Sequence, residues 1–248
     1  MEFLRKWINA LVPVRHWLGL IYLPRYARHW QIFQRLSGHR LRLRDSYPVL
    51  TDWVPATPFD PHYFYQGAWL ARKIAALSPA LHIDVGSSVL TMSVLSGHVP
   101  TVFVDYRPLK ARLTNLHSIA GSIVSLPFAT RGIASLSSLH VLEHIGLGRY
   151  GDSLDPEGSS KAARELARVV APDGRLFIAV PIGRPRVCFN AHRIFSPTAV
   201  PPLFPGLGLL DFSWVDDAGC LHEAGRPEDA ADQNYGCGLY EFVREDND

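Results

Sequence analysis

From about residue 76 onward, short apolar runs alternate with stretches whose apolar residues recur every three to four positions. That texture is the one left by strands joined through crossover helices in a parallel sheet. The runs predict strands at Leu81–Val85, Thr101–Val104, Ile133–Leu139 and Arg175–Val180, a weaker one near Ser118–Ile123, and two later ones near Asp211–Val215 and Gly238–Val243. SKAARELARVV, Ser160–Val170, predicts a helix because Ala162, Leu166, Val169 and Val170 fall on one face. Ser159 or Ser160 suits its start, and Pro172-Asp173-Gly174 suits a turn into the next strand. Before residue 76, Pro13, Pro24, Pro48, Pro55, Pro58 and Pro61 cut an aromatic, arginine-rich segment into short pieces. The expected division is an extension over residues 1–60 and an α/β domain over 61–248.

Composition narrows the class. Of 248 residues, 47% are hydrophobic and 19% charged, which excludes a disordered chain. No uncharged apolar run is long enough for a membrane span, and the arginines and proline in the first 19 residues make a poor signal peptide. Cys188, Cys220 and Cys237 form no C-x-x-C pair, as expected in a reducing, cytoplasmic setting. The net charge of +2 conceals an asymmetry. Residues 1–45 hold nine Lys/Arg (from Arg5 and Lys6 to Arg42 and Arg44) against Glu2 and Asp45, leaving 16 basic and 21 acidic side chains for the rest. A basic head on an acidic body points to a local partner surface and away from nucleic acid. Trp7, Trp17, Tyr22, Tyr26 and Trp30 alternate with those arginines, and Phe3, Leu4, Trp7, Ile8 and Leu11 form an apolar stripe beside Arg5 and Lys6. The head therefore suits a dimer contact, a cap over a cleft, or peripheral attachment to the inner membrane face.

Two strand ends carry the first chemistry. LHIDVGSSVL ends a strand at Asp84-Val85-Gly86-Ser87-Ser88 and opens a helix, a place where backbone N–H groups meet a nucleotide-like ligand. TVFVDYRPL ends a strand at Asp105, 21 residues after Asp84, the spacing at which an acid accepts from the hydroxyls of a ribose.

The segments IDVGSS, FVDYRPL, LPF, LHVLEHIGLGRYGD, FIAVPIG, FNAHRIFSP and YGCGLYEFV, spread over residues 60–244, resemble S-adenosylmethionine-dependent methyltransferases of class I. Within that superfamily they are most similar to a bacterial domain-of-unknown-function group, number 268. The resemblance implies a Rossmann-like α/β fold with a seven-stranded, mostly parallel sheet whose last strand is antiparallel, preceded here by a basic N-terminal helical extension. It implies S-adenosylmethionine as cofactor. By position, Asp84 and Gly86 would flank its methionine end, Asp105 would hold its ribose, Leu126 and Phe128 would lie near its adenine, and Ser87 and Tyr106 are further candidate cofactor contacts. This chain departs from the pattern at Ser87 and Ser88, where further glycines are usual, and at Ser122, where many members carry an acid.

On the acceptor side, His140, Glu143 and His144 fall at i, i+3 and i+4, and His192 follows the next strand. Three readings stay open: a divalent metal held by His140, Glu143, His144 and His192; a general base at His144 oriented by Glu143; or a loop cap with no chemistry. Arg149, Tyr150, Asp152, Asn190, His192 and Arg193 are the candidate acceptor contacts. The expected function is methyl transfer to a hydroxyl of a sugar or polysaccharide precursor, free or lipid-linked. A non-catalytic adenosyl-binding or assembly protein is the alternative.

Overall fold

The structure, a computed structural model, describes residues 19–245. It divides into two units, Met1–Phe59 and Asp60–Asp248. In the second unit the apolar runs form β1 (His82–Val85), β2 (Thr101–Asp105), β3 (Leu116–Ala120), β4 (Ile133–Leu139) and β5 (Val170–Ile182), followed later by β8 (Gly208–Val215), β9 (Leu221–His222) and β10 (Gly236–Val243). One sheet holds them in the order β3-β2-β1-β4-β5-β10-β8-β9. The first five are parallel, and β10 lies antiparallel between β5 and β8. The expected seven strands are present, with the two-residue β9 as an added edge. A separate hairpin pairs β6 (Arg186–Cys188) with β7 (His192–Ile194). Strand order reverses between β1 and β4, and ligands of such sheets lie beyond the carboxyl ends of the strands at that point.

Helices cover both faces. β5 is buried on both sides, so its residues alternate between two cores. Leu176, Ile178 and Val180 join Ala162, Leu166 and Val169 of α4 (Gly158–Val169). Phe177 and Ala179 join Trp69, Leu70 and Ile74 of α2 (Pro61–Leu77), with Met92 and Leu95 of α3 (Val89–Leu95).

Several boundaries move from those the sequence predicts. α4 begins two residues before Ser160, with Glu157 as N-cap and no side-chain cap bond; Ser159 instead donates from Oγ to the Leu142 carbonyl at 2.7 Å. Val170 already pairs with Ile133, so the Pro172-Asp173-Gly174 turn becomes an irregularity within β5, where Asp173 takes φ 56°. The weak third strand lies at Leu116–Ala120, earlier than expected. α2 occupies a segment whose prolines suggested only short pieces. Pro61 sits at its first turn, where no N–H is needed, and the Asp60 carboxylate accepts from the N–H groups of His62 (2.9 Å) and Tyr63 (3.3 Å).

In the first unit, α1 (Leu23–Ser37) has no buried residue and ends at Gly38, φ 67°. Arg25 lies 4.6 Å over the Trp53 ring and donates to the Leu50 carbonyl at 2.9 Å. The apolar stripe expected at Phe3–Leu11 lies outside the described residues. Among the described residues, no helix is long and apolar enough to cross a membrane.

A buried polar seam joins β1 to β4. The Asp84 carboxylate, fully buried, accepts from Ser87 N (3.0 Å), Ser87 Oγ (2.6 Å) and Ser137 Oγ. His82 bridges Ser135 and Ser137 through its two ring nitrogens (2.8 and 2.9 Å). Burial lowers the His82 pKa to about 4 and keeps the ring neutral. Burial raises Asp84 to about 6, against the opposing pull of its hydroxyl and N–H donors.

Two measurements test these supports. The Arg244 guanidinium, itself buried, donates to the carbonyls of Ala167 and Val170 at the end of α4. Arg244→Met removes the guanidinium from both carbonyls and leaves Ala167 O with the Val170 N–H alone, and urea unfolding is expected to show a loss of about 1–3 kcal/mol. Because folding raises the Asp84 pKa, its contribution to stability is complete below about pH 4 and is lost as pH rises through about 6. Asp84→Asn, neutral throughout, is expected to remove about 3 kcal/mol of that decline. An unchanged pH profile in the variant would locate the titration elsewhere.

Candidate functional site

Beyond the carboxyl ends of β1, β2 and β4 lies a cleft of about 330 Å³, within the range of small-molecule sites. Gly86 forms its floor at φ +74°, with its N–H on the Val104 carbonyl (2.9 Å); a Cβ there would stand 3.1 Å from Val141 Cγ1. Asp105 Oδ2 lies 3.8 Å from that same point, while Oδ1 accepts from Arg107 N at 2.6 Å. The carboxylate thus faces the glycine turn with one oxygen fixed. Tyr106 lines the same edge and is largely exposed. Gly121, Ser122, Ile123 and Val124 form the adjoining wall, and Gly121 admits no side chain, since a Cβ would fall 2.6 Å from Val104 Cγ1.

Four residues expected at the cofactor lie elsewhere. Asp84 and Ser87 support the turn from beneath: Ser87 Oγ donates to Asp84 and accepts from Leu139 N at 2.8 Å. Leu126 is in the core, with its N–H on Glu165 Oε1 at 2.7 Å, and Phe128 packs against that core. Both are drawn in because apolar side chains here face α4, leaving Ile123 and Val124 to line the cleft.

The opposite wall follows β4. His140 (φ 55°), Val141 and His144 line it, with Leu142–His144 forming a 3-10 turn. His144 Nδ1 lies 2.6 Å from the Ala191 carbonyl, so Nδ1 carries the proton and Nε2 the lone pair. Burial holds its pKa below the usual value, against the pull of Glu143 and the Ala191 bond. Glu143 is 1% exposed and sits between the two histidines, with Oε1 2.7 Å from His140 Nδ1 and 3.7 Å from His144 Nε2. It does not line the cleft. Burial works against a proton on His140, but Cys237 and Glu143 outweigh it and raise its pKa well above the usual value.

The metal set expected from the sequence is not assembled. His140, Glu143 and His144 share one turn against which the His192 strand packs, but among the described residues their ligand atoms and that of His192 do not converge as a set; the His192 ring lies 5.3 Å from that of Tyr235. Among the described residues, the ligand atoms that converge belong to His62, His140 and Cys237, all within 4.8 Å of one another. His62 and Cys237 carry no signal in the sequence that connects them to His140.

Tyr150 and Asp152 line the cleft. The Asp152 carboxylate accepts from Gly146 N (2.7 Å), Gly148 N (3.4 Å) and Tyr150 N (3.2 Å), so it shapes the loop that holds Tyr150. Arg107, unmarked by the sequence, lies 4.6 Å over the Tyr150 ring and Arg149 lies 5.0 Å from it. Arg149 also donates to the Ala191 carbonyl at 3.0 Å. Arg193 binds the Ile145 carbonyl at 2.6 Å and the carbonyls of Asp155 and Pro156, so it ties loops together outside the cleft. Asn190 is exposed and also lies outside it.

The model of a family described as "Caenorhabditis protein of unknown function, DUF268" matches residues 111–220, a shorter span than the motifs suggested, and its description gives no support to a bacterial group. No curated protein matches the chain. Among solved structures, a putative sarcosine dimethylglycine methyltransferase from Galdieria sulphuraria superposes with a TM-score of 0.54 at 15% identity, over 75% of this chain and 86% of that one. The N-methyltransferase NodS from Bradyrhizobium japonicum WM9, solved with S-adenosyl-L-homocysteine, gives 0.51 at 15% identity, over 87% and 97%. YcgJ from Bacillus subtilis gives 0.53 at 13% identity, over 74% and 100%. These likenesses and the strand order establish the fold: a Rossmann-like sheet of the class I methyltransferase type.

Proposed function

We propose that the chain is an S-adenosylmethionine-dependent methyltransferase acting on a hydroxyl, with a sugar or polysaccharide precursor as acceptor. The observation that carries this reading is Asp105 set beside the Gly86 turn in a cleft at the strand-order reversal. An adenosyl group fits these residues. Asp105 is an acceptor suited to ribose hydroxyls, Gly86 and Gly121 keep the backbone open, and Ile123 and Val124 offer an apolar wall to a base. Bound there, the cofactor supplies a sulfonium-activated methyl group.

The chain's own contribution is orientation and proton handling. A hydroxyl must shed its proton as its oxygen is methylated, so an oxygen acceptor calls for a base that is neutral before reaction. His144 meets that need. Its Nδ1–H is held by Ala191, its lowered pKa leaves Nε2 unprotonated at neutral pH, and Glu143 Oε1 at 3.7 Å stabilises the imidazolium once Nε2 accepts the proton. Tyr150, fixed by the Asp152 loop, and Ser153 supply polar contacts for a hydroxylated acceptor. α1 exposes Phe33 and Leu36 and carries Arg28 and Arg35, chemistry that suits an acceptor presented on an anionic lipid face.

Titration calorimetry with S-adenosylmethionine and S-adenosylhomocysteine, with NAD as control, is expected to show binding of the two sulfur ligands alone. Asp105→Ala should weaken it more than about tenfold, the equivalent of lost charge-assisted hydrogen bonds. Absence of binding in folded protein would favour an assembly role instead. Once an acceptor is found, His144→Ala is expected to retain cofactor affinity while turnover falls by about 100-fold or more; unchanged turnover would remove His144 from the chemistry.

A further inference from the structure

We propose that His62, His140 and Cys237 form a binding site for one zinc-like divalent transition-metal ion. The proposal rests on the geometry of these three side chains and does not depend on the methyl-transfer reading.

The donor set is that of zinc, two imidazoles and a thiol, and its ligand atoms converge within 4.8 Å. Cys237 Sγ and His140 Nε2 are 3.4 Å apart. A tetrahedral ion with Zn–S about 2.3 Å and Zn–N about 2.0–2.1 Å would hold those two atoms about 3.5 Å apart. That edge of the site is already at ligand spacing, and only His62 has to close in. His62 stands in the first turn of α2 and is half-buried, so it can adjust while Cys237, fully buried in β10, stays fixed.

Three further observations point the same way. His140 presents its other nitrogen, Nδ1, to Glu143 Oε1 at 2.7 Å, the carboxylate–histidine arrangement that fixes ring and tautomer behind a metal ligand. The second oxygen of that carboxylate, Oε2, is buried with no hydrogen-bond partner, an unsatisfied polar atom directly behind the imidazole. His140 itself is held at φ 55°, a strained conformation for a non-glycine residue and one that concentrates at functional positions. Three protein ligands leave the fourth tetrahedral position open to water or to an acceptor oxygen, and His140 lines the cleft.

The test uses the full chain, freed of metal and titrated with cobalt(II) as a spectroscopic probe and then with zinc(II). Expected are one cobalt per chain, tetrahedral d–d bands with a thiolate charge-transfer band, displacement by zinc, and a rise in melting temperature with zinc. Cys237→Ser should abolish the charge-transfer band, whereas Cys188→Ser and Cys220→Ser should leave it. Glu143→Gln is expected to weaken zinc affinity about 10–100-fold. Should Cys237→Ser fail to fold, His62→Ala, at a half-exposed helix start, serves instead and should lose stoichiometric binding. No stoichiometric cobalt, or spectra unchanged in both His62→Ala and Cys237→Ser, would overturn the proposal. Because no step of this test involves S-adenosylmethionine, failure here and failure of cofactor binding are separable.

Discussion

A carboxylate placed inside a sheet must find donors or give up its charge, and the floor of the cleft is built on how Asp84 resolves that demand. Its donors are Ser137 Oγ from β4 and both the N–H and Oγ of Ser87. Satisfying the carboxylate therefore bends the chain after β1 into a fixed turn, sets Gly86 at positive φ, and ties that turn to β4. Ser87 Oγ then accepts from Leu139 N, at the residue just before His140. One buried charge thus couples the position of the glycine turn on one wall to the start of the histidine segment on the other. It also accounts for a departure from the usual motif. Ser87 stands where the resemblance leads one to expect a further glycine, and its hydroxyl is part of the support for Asp84, a role glycine cannot fill.

Much of the fold was legible because strands buried on one or both faces announce themselves as apolar runs. β4 lies at the predicted residues, and β1, β2 and β10 differ by one or two. α2 was not legible as a helix because its signals are at its start, where Asp60-Pro61 caps and opens it, while the prolines upstream suggested fragmentation. The glycine turn and Asp105 were readable since both lie at strand ends separated by a single crossover, so spacing along the chain maps onto position in space. Leu126 and Phe128 show where such mapping fails. They follow an irregular segment, and whether an apolar residue there faces a ligand or α4 depends on tertiary packing that no local pattern records.

The acceptor wall was legible only in part, for a related reason. His140, Glu143 and His144 are close in sequence, so helical spacing alone groups them. Residues that complete their surroundings come from far away. Arg149 and His144 both reach Ala191, and Tyr150 is fixed by an aspartate whose carboxylate is spent on three backbone N–H groups. Polar residues flanking a candidate base are thus as often the scaffold of its loop as contacts to a ligand. Arg193 and Asp152 are in the first class, whereas Tyr150, lying 4.6 Å beneath Arg107, is presented to the cleft.

The meeting of His62, His140 and Cys237 follows from topology. A parallel strand leaves the sheet at its carboxyl edge, so the segment after β4 places His140 there. β10 runs the opposite way between β5 and β8, and its first residues pair with the last of β5: Gly236 with Ile182 and Cys237 with Pro181. The reversal therefore returns a thiol to the carboxyl edge, where a parallel strand in the same place would have put it at the far side. α2 feeds β1 from the amino edge, and at 1.5 Å per residue its 17 residues span about 25 Å, enough to return its first turn across the sheet to the carboxyl edge. Residues separated by 78 and 97 positions are thus neighbours because one helix and one strand run against the parallel direction. The inserted antiparallel strand, the feature that distinguishes this sheet from a simple doubly wound one, is what supplies the third side chain of the cluster.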